Sequence, residues 1–239
     1  MVVRGVTGAC AVLAGGCAAP SGPSATASSK AARVVSVNKI DDRTRDVMID
    51  SPSVGEVTVR LLVPAGSEAD PNRRWPVLYL LHGANDPDTY RCWTRSTDVA
   101  TLTTGLPLLV VMPEAGTEGY CSDWFNEGRG GPPAGETFHL VELRQILERD
   151  WRASDHRAVA GLSMGGLGAM LYATHLPHLF RAAASFSGVL DTMNIQAGRS
   201  HRTYGAIAPG TLTSGTSTTP WTKRRTCEEY PCSCHMALV

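Results

Sequence analysis

The sequence predicts an α/β fold: a mainly parallel, doubly wound sheet preceded by antiparallel strands. Three observations carry this. Short β-rich runs open the folded part, nearly continuous apolar runs follow at residues 75–81 and 106–113, and helical and strand-like segments alternate from there on. Runs that are apolar at almost every position suit strands covered on both faces. The alternation suits strands joined by helical crossovers.

Taken in order, residues 32–38, 46–50 and 57–63 are the β-rich runs, broken by charged or Ser/Pro/Gly turns. The two apolar strands come next. Residues 136–151 read as a helix with Leu140, Leu143 and Leu147 on one stripe. A short strand at 157–160, a helix at 163–175 and a strand at 180–189 complete the pattern. A chain of 239 residues with no internal repeat suits one domain. Its 43% hydrophobic and 18% charged residues are those of a globular protein. The 22 basic and 22 acidic residues cancel, which argues against nucleic acid, anionic surfaces or polyionic substrates as partners.

Residues 1–31 are expected to be an export signal and linker, residues 32–192 the folded core, and 193–239 an aberrant tail. Arg4 precedes an apolar stretch at 6–16, followed by Cys17 and a Pro/Ser/Ala-rich linker. That stretch is too short to span a bilayer, which takes about 20 residues. A charged start and a small-residue end fit an exported protein, secreted or attached to the cell envelope. Leu13-Ala14-Gly15-Gly16-Cys17 resembles a lipobox, which makes Cys17 a candidate for lipidation and a lipid anchor the expected membrane attachment, although Ala14 stands where a branched aliphatic is usual. The alternative is a misplaced start codon before a cytosolic enzyme.

Of the seven cysteines, Cys92 and Cys121 lie in the body of the fold. In an oxidising compartment a bridge between them is expected. Closing a loop of about 28 residues would stabilise by roughly 3–4 kcal/mol. Two buried thiols are the alternative.

The strongest motif is Gly161-Leu162-Ser163-Met164-Gly165-Gly166, between a short strand and a helix. A Gly-x-Ser-x-Gly in that context is a nucleophile elbow, which lifts the serine hydroxyl above the sheet edge. Gly161 and Gly165 flank the tightest part of the turn, where a Cβ would clash. The helix start supplies N–H groups and the positive end of a dipole to a developing oxyanion. Ser163 is thus the candidate nucleophile of an α/β-hydrolase. The loop Leu80-Leu81-His82-Gly83-Ala84-Asn85 follows the first apolar strand, where this fold carries its other oxyanion donor. The backbone N–H groups of Ala84 and Met164 are the expected pair. His82 precedes Ser163, whereas the order in this fold is Ser, acid, His; it is read as loop support and not as the base.

The strings LLHGAND, VVMPEAG, CSDW, ETFHLVELRQILE, AGLSMGG and AAASFSGVLD occur in this order between residues 80 and 191. They resemble the esterase D-type and antigen eighty-five mycolyltransferase family of α/β-hydrolases. The resemblance implies an acyl-enzyme on Ser163, with the acyl group of an ester or glycolipid passed to water or a hydroxyl acceptor. It implies no cofactor and no metal. Asp123, in the family's Ser-Asp-Trp motif, is expected to anchor its loop. Mycolyltransferases carry Asp-Gly-Leu-Arg where this chain has His82-Gly83-Ala84-Asn85, so a simpler carboxylesterase or acyltransferase is expected.

The family's acid and histidine lie roughly a hundred residues or more beyond the nucleophile, whereas 76 residues follow Ser163 here. From His201 the chain loses its α/β rhythm and ends in Cys227, Cys232, Cys234 and His235, a spacing that matches no standard zinc site. Back-translated with GC-rich codons and read one nucleotide earlier, the tail yields an apolar strand IPVFMSYG and other segments the family would show. A frame change near residues 193–196 is therefore expected, with a genuinely divergent C-terminus as the alternative. On this reading the triad acid and histidine are unassigned, and a catalytically inactive scaffold binding a glycolipid or extracellular partner is the second functional reading.

Overall fold

A computed structural model of the chain describes residues 31–85, 89–114, 116, 119, 121–123, 134–188 and 190. The expected signal and linker (Ala31 apart), Cys17, the tail at 193–239 and any triad acid or histidine within it lie outside the described residues.

Three strands open the fold: β1 (Arg33–Lys39), β2 (Thr44–Ser51) and β3 (Gly55–Leu62). β4 (Trp75–Leu81), two short helices α1 (Cys92–Ser96) and α2 (Val99–Leu102), and β5 (Leu109–Pro113) follow. Next come α3 (Gly135–Thr137), a π-helical segment Phe138–Leu143, α4 (Arg144–Asp150), β6 (Ala153–Leu162), α5 (Met164–His175) and β7 (Ala182–Phe186). The strands form one sheet in the order β1-β2-β3-β5-β4-β6-β7. β1 to β3 pair antiparallel with one another, and β3 pairs antiparallel with β5. β5, β4, β6 and β7 are parallel.

The continuous apolar runs feed both faces of this sheet, as strand alternation requires. Val77, Tyr79 and Leu81 of β4, with Leu109 and Val111 of β5, face a core shared with Phe138, Leu143, Leu147, Met164, Leu167 and Tyr172. Leu80, Val110 and Met112 face the other side, where Val99 and Trp93 of the short helices cover them. Each fully buried large side chain contributes about 1.5–3 kcal/mol, so the thicker first layer supplies most of the cohesion.

Several boundaries differ from those the sequence suggests. Residues 106–108 are a turn, with Leu106 exposed, so β5 starts at Leu109. β6 starts at Ala153, which pairs with Trp75; the polar Ser154, Asp155 and His156 belong to the strand but lie in a register irregularity before pairing resumes at Arg157, and their polarity hides the extension. The 136–151 helix buries more than its leucine stripe. Its π-helical segment turns Phe138, His139 and Leu140 inward together.

The expected Cys92–Cys121 bridge is not formed. Cys121 is part of the core beneath α5, whereas Cys92 opens α1, whose Trp93 covers the opposite face of the sheet. Spacing along the chain allows the bridge; placement of the two thiols decides against it.

Two polar devices hold these layers. Arg43, in the β1–β2 turn, donates to the carbonyls of Val63, Ala100 and Thr103 and to the hydroxyls of Thr103 and Thr104. A cation thus satisfies carbonyls at the C-terminal end of α2. The second device is a buried chain. His139 lies 2.9 Å from the Glu114 carbonyl through Nε2 and 2.6 Å from the Tyr172 hydroxyl through Nδ1. A carbonyl only accepts, so Nε2 carries the proton and Nδ1 accepts from Tyr172. Burial lowers the His139 pKa from 6.5 to about 4, while its bond to the Glu114 carbonyl acts in the other direction.

Replacing Arg43 with Ala should cost about 2–3 kcal/mol, because several charge-assisted bonds are lost together. Urea denaturation measures it. The lowered folded pKa of His139 means that the unfolded chain binds the proton first as pH falls. This contribution is complete above about pH 6.5 and disappears toward about pH 4, on the order of 3 kcal/mol in all. A His139→Gln chain should show a correspondingly flatter fall in urea midpoint across that window.

Candidate active site

β6 ends at Leu162 and α5 begins at Met164, so Ser163 alone makes the turn between them. Its backbone has φ 53° and ψ −111°, a conformation that costs a non-glycine residue on the order of 1–3 kcal/mol. The Ser163 N–H donates to the Phe186 carbonyl at 2.8 Å, and its own carbonyl accepts from Leu167 N–H at 3.1 Å. These two bonds hold the turn between β7 and the first turn of α5.

The glycines around it permit backbone contact. A Cβ on Gly161 would run into the Gly165 carbonyl. A Cβ on Gly165 would strike the Leu81 carbonyl and come within 2.6 Å of the His82 carbonyl oxygen. The end of β4 therefore touches α5 directly. Gly83 is adjacent to Ser163: a Cβ there would sit 3.7 Å from Ser163 Cβ and from the Leu162 carbonyl oxygen. Ala84 and Asn85 form a turn, with Asn85 at φ 57°. The structure thus brings the loop that carries Gly83 and Ala84, about 80 residues earlier in the sequence, against Ser163, which directly precedes Met164 at the start of α5. His82 is buried, and its Nδ1 donates to the Gly83 carbonyl at 2.8 Å, which suits loop support.

The Ser122-Asp123 segment is fastened to α3. Asp123 accepts from the Thr137 N–H at 3.0 Å and from its hydroxyl at 2.6 Å. The Gly135 N–H donates to the Ser122 carbonyl. Asp123 is thereby a helix-start anchor, as the motif led one to expect; Trp124 lies outside the described residues. Beside the elbow, Leu162 and Phe186 are 39% and 47% exposed, and the Trp93 ring meets Phe186 edge-on at 6.1 Å. They share a face because they are register partners on adjacent parallel strands. Trp93 Nε1 also donates to the Leu81 carbonyl at 3.1 Å. Sequence reasoning missed Trp93, which sits in a helix too short to show a period. Among the described residues no cluster of three or more His, Cys, Asp or Glu side chains could hold a metal ion.

Comparison with known proteins adds the family. The Esterase family model matches residues 53–235, reaching into the segment set apart above as an aberrant tail. Esterase Rv1288 of Mycobacterium tuberculosis is 35% identical over 160 residues, 65% of this chain and 34% of the relative. Diacylglycerol acyltransferase/mycolyltransferase Ag85A of Mycobacterium leprae is 32% identical over 155 residues, 62% of this chain and 44% of the relative. The chain thus matches a third to under a half of these relatives' length. Among solved structures, MPT51 of M. tuberculosis superposes with a TM-score of 0.55 at 27% identity, covering 72% of this chain and 58% of that one. The fluorophosphonate-binding serine hydrolase FphF of Staphylococcus aureus shares the fold, with a TM-score of 0.59 at 22% identity over 74% and 70% of the two chains. With the family model covering most of the chain, the elbow included, this protein belongs to the esterase family of α/β-hydrolases, alongside the mycolyltransferases.

Proposed function

We propose that the chain is an exported serine esterase or acyltransferase in which Ser163 carries the acyl group. The observation that supports this best is the backbone of Ser163, strained to positive φ at a strand-to-helix turn, with the Gly83–Ala84 loop packed beside it. A merely structural turn at this point would favour glycine or asparagine over serine.

In the first step Ser163 Oγ attacks the carbonyl carbon of an acyl ester, the C–O bond to the alcohol breaks, and the alcohol leaves with a proton. In the second, water or a hydroxyl acceptor attacks the acyl-serine and restores Oγ–H. The N–H groups of Ala84 and Met164 stabilise the oxyanion in both steps. A general base must take the Oγ proton; in this fold it follows the nucleophile and the acid in sequence. The apolar surface of Leu162, Phe186 and Trp93 beside the elbow suits an acyl chain. Residues 1–31 direct export, and Cys17 carries the lipid anchor.

Fluorophosphonate labelling of the folded chain tests the reading. Label should appear on Ser163, and Ser163→Ala should abolish it and lower ester hydrolysis by about 10³-fold or more. A folded wild-type chain that never labels would instead support the inactive scaffold. In cell fractionation, Cys17→Ala should move the protein from the membrane to the soluble fraction; an unchanged distribution argues against the anchor.

A further inference from the structure

Behind the elbow, three polar side chains meet in an otherwise apolar core. Cys121, His139 and Tyr172 are each wholly buried. Tyr172 lies on α5, nine residues from Ser163 and so roughly 13 Å along the helix. It is too far to touch a substrate at the serine. Its hydroxyl meets His139 at 2.6 Å and interacts electrostatically with the Cys121 side chain.

The directions of these bonds can be worked out. Burial raises the Cys121 thiol to about 12, and the neighbouring Tyr172 hydroxyl acts in the other direction. Tyr172 O–H is given to His139 Nδ1, and His139 Nε2–H to the Glu114 carbonyl. The run from Cys121 past Tyr172 and His139 to Glu114 thus holds two directed hydrogen bonds, with the Cys121 side chain beside the Tyr172 hydroxyl. Removing one member leaves a buried polar group unsatisfied, the costly case.

Both ends of the run lie in the segment between β5 and α3. Glu114 directly follows β5. Cys121 is held at φ 52°, a conformation its residue type does not favour. A Cβ on Gly168 of α5 would come within 2.6 Å of Cys121 Cβ, so the helix lies directly on this residue. Ser122 and Asp123 accept hydrogen bonds from Gly135 and Thr137 at the start of α3. Tyr172 is thus the one side chain of α5 that meets both the Cys121 side chain and the π-helical segment that carries His139.

We infer that Tyr172 is a positioning residue: beside Cys121 and through His139 it holds the nucleophile helix in register with Glu114 and with residues 121–123, and so keeps Ser163 and its oxyanion donors aligned. This rests on the serine-esterase reading. Tyr172→Phe keeps the ring and its packing while removing the hydroxyl. The comparison variant is Ser53→Ala, which removes a hydrogen bond to Glu142 on the same π-helical segment without touching α5.

Fluorophosphonate inactivation is measured as the maximal rate kinact and the half-saturating concentration KI, well below each variant's melting temperature. Tyr172→Phe should lower kinact about tenfold with KI within about twofold of wild type, since misalignment slows chemistry more than binding. Ser53→Ala should leave kinact within about twofold. An unchanged kinact in Tyr172→Phe, or an equal fall in Ser53→Ala, overturns the inference. A wild-type chain that does not label defeats the esterase reading alone. Amide hydrogen exchange then tests the positioning: Tyr172→Phe should speed exchange about tenfold in residues 121–123 and 164–168 while β2 and β3 keep wild-type rates. Uniform acceleration, or none, overturns it.

Discussion

Backbone-to-backbone contact at the elbow is the constraint on which the rest of the site depends. Gly161 lies against the Gly165 carbonyl, and Gly165 against the carbonyls of Leu81 and His82. A side chain at either position would push α5 away from the ends of β4 and β6 by more than a hydrogen bond tolerates. The Gly83 loop reaches Ser163 only because that gap is closed. The strained Ser163 backbone, the start of α5 and the Gly83 loop are therefore one arrangement with a single steric origin.

The surrounding structure is arranged to keep that device in place. One face of the sheet is covered by α5 and the α3-to-α4 helical run, the other by the short helices around Trp93 and Val99. Arg43 secures α2 by its carbonyls, and the buried Cys121–Tyr172–His139 chain secures α5 by its side chains. A neutral, singly protonated imidazole is what permits the second arrangement, because it offers one donor and one acceptor on opposite sides of the ring. Among the described residues β7 is the last strand of the sheet, and Ala182 and Phe186 remain exposed although the strand is apolar.

On the proposed reading the chemistry is ester hydrolysis or acyl transfer, in line with the esterase family model. Between water and a hydroxyl acceptor, the described elements differ little in what they demand: a nucleophile, two N–H donors and an apolar wall. One departure from the mycolyltransferase pattern falls in the His82–Asn85 loop, whose Gly83 packs against Ser163. Substrate preference within the family is thus expected to be set by parts of the chain that leave the sheet unchanged.

The amino-acid sequence by itself determined the strand and helix order, the antiparallel start, and the elbow with Ser163, Gly161 and Gly165. Each of these is a local pattern: period-2 or continuous apolarity, or a glycine where a Cβ would clash. Tertiary structure alone decided that Cys92 and Cys121 stay apart, that β6 extends back through polar residues to Ala153, and that His139, Tyr172 and Cys121 meet. Those outcomes depend on which face of the sheet a side chain reaches and on a π-helical turn that rotates His139 inward, and distances of this kind leave no period in a one-dimensional chain.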